Sequence, residues 1–340
     1  MYSLKLKRKT HHFTWSFNIL LVCAILFFPA QQVMAKPVVL KVAHVGAPVS
    51  PQQAACDIFE KLVTEKTNGS VEIKQYGAGT LGDERELVEG LTFGTIQGAV
   101  VSSGLYGGYY PMMSAFEIPF LFRDRAHANA VNSGPIGNEI LATLNDKAKI
   151  KSIAIWEHGF RQVTNNVRPI KVPQDMEGLK IRSPEVPVYS GALNALKAVP
   201  IPMAFSELYV ALDRGVVDGQ HNPLLHVMGQ RFYEVQKYLA MLDFAYTPNV
   251  LAFSNAAWDK LSEEQQKQVF SAAQEAGVKW SESAAAEEDR LLKELKEKME
   301  VVDRDQLDKK LFQAIVVEKA FPQFRKTYGT ILDRIVAEGK

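Results

Sequence analysis

From Val38 to Val45 the chain is apolar and largely β-branched, interrupted only by Lys41 and His44, which predicts a strand. Ser50-Pro51 follows, a capping side chain and a proline suited to the first helical position. Ala54, Ala55, Ile58, Phe59, Leu62 and Val63 then recur at three- and four-residue spacing, an amphipathic helix that ends near Asn68-Gly69. Val71 to Tyr76 is the next strand, Gly82-Asp83 opens a helix through Leu87, Val88 and Leu91, and Gly98 to Val101 is a third strand. Strand, helix, strand, helix and strand at these spacings predict a parallel sheet with covering helices.

A second α/β stretch begins near Lys151. Ile153 to Trp156, Val163-Thr164 and Leu179 to Arg182 are strand-like, with a turn over Pro173 to Gly178. Pro187 to Leu196 is helical, and Ser206 is placed to cap a helix from Glu207 to Leu212 that Gly215 closes. Ser262 and Gln265 form a capping box for the longest helical pattern, which carries an apolar stripe from Val269 through Trp280 and Leu291 to Met299. Unbroken, that helix measures roughly 57 Å, longer than one domain is wide. Either Gly277 breaks it or it lies across two lobes. The charged run from Glu287 to Lys298 is its solvated face. No repeat or linker divides the halves, so the chain crosses between them more than once.

The first 35 residues are a targeting signal and not part of the fold. Lys5, Lys7, Arg8 and Lys9 precede an apolar run from Ile19 to Phe28, and Val33-Met34-Ala35 supplies small residues for cleavage before Lys36. Ten apolar residues are too few for a bilayer, which needs about 20. Leu20-Leu21-Val22-Cys23 also suggests an acylated Cys23, but the apolar run continues past that cysteine. Lys+Arg 39 against Asp+Glu 38 gives +1, and loss of the four basic residues of the signal turns this into −3. The exported chain is thus mildly acidic, which argues against nucleic acid as a partner. It keeps one cysteine, Cys56, expected as a buried thiol on a helix.

Catalytic signatures are missing. The chain has no GxSxG turn, no P-loop and no GxGxxG after a strand. His221 and His226 stand five apart with Pro223 between them, a poor zinc spacing. These absences tilt the expectation towards binding without chemistry, cofactor or metal.

Three segments carry more. They are Glu157-His158-Gly159-Phe160-Arg161-Gln162-Val163-Thr164-Asn165, then Gly178-Leu179-Lys180-Ile181-Arg182-Ser183-Pro184, then Pro200 to Tyr209 continued by Gly215 to Leu224. With Gly79-Thr80-Leu81-Gly82-Asp83-Glu84-Arg85-Glu86-Leu87 and Phe232-Tyr233-Glu234-Val235, their order closely resembles the extracytoplasmic solute-binding subunit of tripartite ATP-independent periplasmic (TRAP) transporters, the DctP type, over nearly the whole exported chain. The resemblance implies two α/β lobes joined by a hinge, a long helix spanning both, and closure around one organic acid. The lobes are expected at 36–159 plus about 249–285, and at 160–248 plus about 286–340. It also implies a periplasmic monomer that hands a C4-dicarboxylate, sugar acid or hydroxy acid to membrane permease subunits. A receptor of the same fold that feeds a sensor kinase is the alternative.

By the resemblance, Arg182 is the main salt-bridge partner of the ligand carboxylate, Arg161 a second arginine, Asn222 a hydrogen-bonding partner and Phe205 an aromatic wall. Two departures matter. His221 stands where the family often has Glu or Gln, and Ser102 where sialate-binding members have Glu, which argues against sialate. Independently of the resemblance, a guanidinium presents a planar fork that matches a carboxylate, and Arg182 ends a strand, where ligands of α/β sheets gather. From local context alone Arg182 also fits a surface arginine, Arg161 an ion-pair partner, Asn222 a turn residue and Phe205 core. His44, Ser102, Ser103, Glu157 and His158 sit at strand ends facing the expected cleft, and Trp156 is expected in the core.

Overall fold

The computed structural model describes residues 2–3 and 36–338. Apart from Tyr2 and Ser3, the targeting segment with Cys23 lies outside them. The first half follows the predicted order: β1 (Val38–Ala43), α1 (Pro51–Lys66), β2 (Val71–Tyr76), α2 (Glu84–Phe93) and β3 (Gly98–Ser102). Ser50 caps α1 by accepting from the Gln53 N–H, and Asp83 with Glu86 forms a capping box on α2. Two 3₁₀ turns (Ser103–Gly108, Pro111–Glu117) lead into α3 (Arg125–Ser133) and α4 (Pro135–Ala148).

The largest difference from expectation comes next. Ile153–Trp156 and Val163–Thr164 are parts of one strand, β4 (Ile150–Asn165). After β5 (Lys180–Ser183), α5 (Pro187–Ala195), β6 (Val199–Pro202), α6 (Leu208–Asp213), β7 (Gly219–Asn222) and α7 (Leu224–Gly229), an equally long β8 (Tyr238–Ser254) returns beside it. Both strands are buried on both faces for most of their length, so neither shows the alternation that marks a half-exposed strand. Pro200 and Pro202 are tolerated because β6 is the sheet's edge strand. Ser206 does not cap the helix after it. That helix starts at Leu208, and the Ser206 hydroxyl donates to Asp83 at 2.8 Å.

β4 and β8 pair antiparallel along almost their whole length, and each strand end carries different neighbours. The end of β8 at Asn249–Phe253 pairs with β3, which continues through β1 to β2. The opposite end of β4, Gln162–Asn165, pairs with β7, which continues through β5 to β6. Two parallel half-sheets therefore share two continuous strands. The crossing between them carries a register shift between Glu157 and Gly159 that leaves His158 out of the ladder, and Gly159 has φ +116°. A bulge of this kind re-aims side chains.

The last helical pattern is α8 (Glu263–Lys296), unbroken and about 51 Å long, so Gly277 does not interrupt it. It packs on α1 and β4 at one end and on α7 and β9 (Glu300–Val302) at the other. β9 pairs with β8, and α9 (Lys309–Lys319), α10 (Phe321–Tyr328) and α11 (Thr330–Ala337) complete the chain. Phe59, Trp156, Leu212, Trp280 and Leu295 belong to the core beneath α8, whereas Phe116, Leu144, Leu193 and Phe244 belong to a second core. Cys56 is buried in α1, and burial pushes its thiol up. No helix among the described residues is long and apolar enough to cross a membrane.

Gly277 has a packing role. A Cβ there would lie 2.8 Å from Cδ1 of Trp156, whose indole N–H is already fixed to the Ala273 carbonyl at 2.8 Å. Gly277→Val should lower the unfolding free energy by about 1–3 kcal/mol through overpacking. A urea midpoint unchanged from the parent would contradict this close approach.

Candidate functional site

The carboxyl ends of the parallel strands converge where the half-sheets meet. Val45 follows β1, Ser102 ends β3, Arg182 and Pro184 lie at the end of β5, and Asn222 ends β7. Gln52 and Glu84 enter from the first turns of α1 and α2, His226 from α7, and His158 and Arg161 from the crossing of β4. With Phe205 they line a cavity of about 10 Å³, room for about one water. Several larger cavities lie elsewhere. One of about 630 Å³, beside α8, has no cationic side chain on its walls. Another, of about 640 Å³, has Arg85, which is engaged with Glu185. A third, of about 370 Å³, has Lys237 and Lys298, both exposed. Buried charge, not volume, singles out the small cavity.

Arg182 and Arg161 are both buried, and among the described residues neither has a carboxylate within ion-pair distance. The Arg182 Nε and Nη2 both donate to the Met203 carbonyl, at 3.0 and 2.7 Å. The Met203 N–H donates back to the Ser183 carbonyl, which holds that loop against the strand end. Of the five guanidinium hydrogens, Arg182 thus keeps the Nη1 pair and one on Nη2, the edge that meets a carboxylate two-pronged. Its guanidinium lies 5.7 Å from the centre of the Phe205 ring. Burial, then the charge of Arg161, pushes its pKa down to about 9.

Arg161 is held more completely. Its Nε donates to Nδ1 of His221 at 2.8 Å, and Nη2 to the His221 carbonyl at 2.6 Å and Asn222 Oδ1 at 2.7 Å. Nη1 reaches Thr247 at 3.3 Å. Because arginine only donates, Nδ1 of His221 must accept, so this histidine is neutral with its proton on Nε2. Burial, with both arginine charges, lowers its pKa well below the usual range. The arginine is therefore fixed in place without being neutralised.

Glu84 is the acidic member. Its carboxylate accepts from the Ser102 N–H at 2.9 Å and from the Ser102 hydroxyl at 2.7 and 2.8 Å. Burial raises its pKa to about 7, against the opposing effect of these bonds. His158 and His226 touch through their Nε2 atoms at 2.7 Å, one donating to the other. Burial holds both low, His226 at about 3.

Of the residues expected from sequence, Arg182, Arg161, Asn222, Phe205, Ser102 and His158 come together on this cavity. Four do not reach it. Glu157 turns away, accepting from Arg125 Nε at 2.7 Å and Ser281 at 2.9 Å, as the neighbour of His158 on a strand whose successive side chains face opposite sides. Ser103 donates to the buried Glu117 at 2.9 Å. His221 lies behind Arg161, its ring against Tyr189 and Phe244. His44 is packed against Gly77, set back from the cavity wall. Gln52, Glu84 and His226 were not anticipated. Glu84 stood within the quoted motif, but its position beside a helix cap suggested only capping, and Gln52 followed Ser50-Pro51 in the same way. Among the described residues no group of three His, Cys, Asp or Glu is arranged to hold a metal.

The family model for bacterial extracellular solute-binding protein, family 7, DctP, matches residues 42–326. The chain belongs to the DctP family. Within it, the 2,3-diketo-L-gulonate-binding periplasmic protein YiaO of Escherichia coli is 36% identical over 273 residues, 80% of this chain and 83% of that one. The C4-dicarboxylate-binding periplasmic protein DctP of Rhodobacter capsulatus is 34% identical over 229 residues, 67% and 68% of the two chains. A crystal structure of a TRAP periplasmic solute-binding protein from Polaromonas, bound to D-erythronate, matches with TM-score 0.85 and 33% identity over 89% of this chain and 99% of that one. The DctP-family fold is two-lobed, and the mixed sheet with its long spanning helix is that fold.

The buried histidines set a pH dependence. His44 is held at about 4 and His226 at about 3 in the fold, with His158 and His221 also low, against 6.5 when unfolded. The unfolded chain therefore takes up protons first on acidification, and this stability is full above about pH 6.5 and lost as pH falls towards 4 and then 3. Glu84 and Glu117, both raised by burial, act in the opposite direction, so that neutralising them favours the fold. Four histidines outweigh two acids, and the melting temperature should fall from pH 6.5 to 4. Calorimetry across that range should give a shallower slope for His226→Gln, and an identical slope would refute the assignment.

Proposed function

We propose that this protein is the periplasmic binding subunit of a TRAP transporter, which captures a small organic acid and delivers it to membrane permease subunits without changing it chemically. One observation carries the reading: two adjacent guanidiniums, buried and without a protein carboxylate at ion-pair distance, with the free edge of Arg182 turned to a closed cavity. Burying such charge is costly unless a counter-charge joins it, and a ligand carboxylate supplies one. Arg182 is the two-pronged contact, Arg161 and Asn222 complete the acid end, and Phe205 covers it. The acids named for the relatives, a diketogulonate, a C4-dicarboxylate and an erythronate, support the same class of ligand.

A cavity with room for about one water requires the walls to part before an acid enters. The crossing of β4 and β8 is the proposed hinge, between lobes 36–159 plus about 249–285 and 160–248 plus about 286–340. Its support is the register shift at Glu157–Gly159 opposite Thr247 and Pro248. Small-angle scattering should show a smaller radius of gyration with saturating ligand than without, and no change would count against a hinged trap.

The clamp has its own test. Arg182→Lys keeps the charge but replaces a rigid fork with a flexible point charge, so it should lose much of the affinity. Arg182→Ala should cost about 2–5 kcal/mol, or ~30- to several-thousand-fold in Kd. Titration calorimetry on acids found by thermal-shift screening, with ligand-free melting curves as control, reads both. Parent-like binding by Arg182→Lys would remove the two-pronged clamp.

A further inference from the structure

The polar groups beyond the clamp are of a different kind. Gln52, at the start of α1, is fully buried, and neither its amide nitrogen nor its oxygen has a hydrogen-bond partner within the protein. Glu84, at the start of α2, accepts two hydrogens from Ser102, whereas a carboxylate offers about four lone-pair sites. Both side chains line the same cavity as the two arginines.

The charge of this lining is also limiting. Arg161, Arg182 and Glu84 are its charged members, and its histidines are neutral, so the walls carry a net +1 while Glu84 is ionised. One ligand carboxylate balances that. A second would bring an uncompensated negative charge into a closed space shared with Glu84, a form of discrimination by repulsion. A hydroxyl suits the same groups, since it donates to Glu84 or the Gln52 oxygen and accepts from the Gln52 nitrogen.

We propose that the cavity selects hydroxylated monocarboxylic acids over dicarboxylic acids, with Glu84 and Gln52 holding the hydroxyls of the tail. This rests on the carboxylate clamp proposed above and names its substrate class. Glu84 sets the charge limit, and Gln52 gives each hydroxyl both a donor and an acceptor. Sites built to hydrogen-bond a substrate hydroxyl reject analogues that lack it, because their polar groups are then left buried and unpaired.

The test is calorimetric titration of the purified protein at pH 8, where Glu84 is ionised, with D-erythronate and gluconate against succinate and malate. At least one hydroxylated monoacid should bind roughly a hundredfold tighter than either diacid. Glu84→Gln keeps an acceptor for Ser102 but removes the negative charge. It should weaken the monoacid, strengthen the diacids and reduce the ratio by about tenfold or more. Gln52→Leu should weaken the monoacid while leaving succinate unchanged. The ranking by the unaltered protein needs no variant to fold. Succinate or malate binding as tightly as the best monoacid would overturn the selectivity and leave the clamp standing, as would a ratio unmoved by Glu84→Gln in a folded variant. If no acid of either set binds, and a screen of further carboxylates also fails, the clamp falls and this proposal with it.

Discussion

Two positive charges lie side by side in a place that water scarcely reaches, and much of the surrounding architecture serves to hold them there without cancelling them. Arg182 is met by a backbone carbonyl, and Arg161 by a carbonyl, a neutral imidazole, an amide oxygen and a hydroxyl. Each of these partners accepts a hydrogen bond and none carries a negative charge. A carboxylate at position 221 would neutralise the Arg161 it fixed. The neutral histidine keeps geometry and charge separate. Burying charge without a counter-charge is costly, and burial holds the Arg182 pKa down at about 9; in the proposed clamp a ligand anion relieves that cost.

The continuous strands β4 and β8 position the pair, because they run through the junction of the two half-sheets. Alternation along β4 then sends neighbouring side chains to opposite destinations. His158 faces the cavity, while Glu157 joins Arg125 on the far side. The parallel strands on either side contribute their carboxyl ends, and the first turns of α1 and α2 deliver Gln52 and Glu84 from above those ends.

The locally patterned elements were legible in the sequence. Periodicity and capping residues placed β1, β2, α1, α2 and α8 with small errors, because each has one dry and one wet face, and β3 was legible as a short apolar run bounded by glycine. The long strands were legible only in fragments. In a strand buried on both faces, polar residues such as Arg161, Gln162 and Asp243 look like interruptions until their partners are known, and those partners lie 60 to 86 residues away. The site divides along the same line. Arg182, Arg161 and Asn222 stood out through an ordered set of motifs, whereas Gln52 and Glu84 were hidden by their helix-start positions, where capping already explains polar residues. Glu157 misled because adjacent strand residues face opposite sides of the sheet, so it and His158 do not both line the cavity.

The ion-pair chain that Glu157 joins has a mechanical meaning. Arg125 from α3 bonds Glu157 of β4 and also Glu288 of α8, and Glu288 in turn holds Arg304, which grips Asp243 of β8. A chain of alternating charges thus ties the long helix to both central strands at one point, behind the crossing. In the hinged trap proposed above, any movement of the lobes would have to carry α8 together with both central strands at Glu288, so this ionic link would limit how the molecule bends.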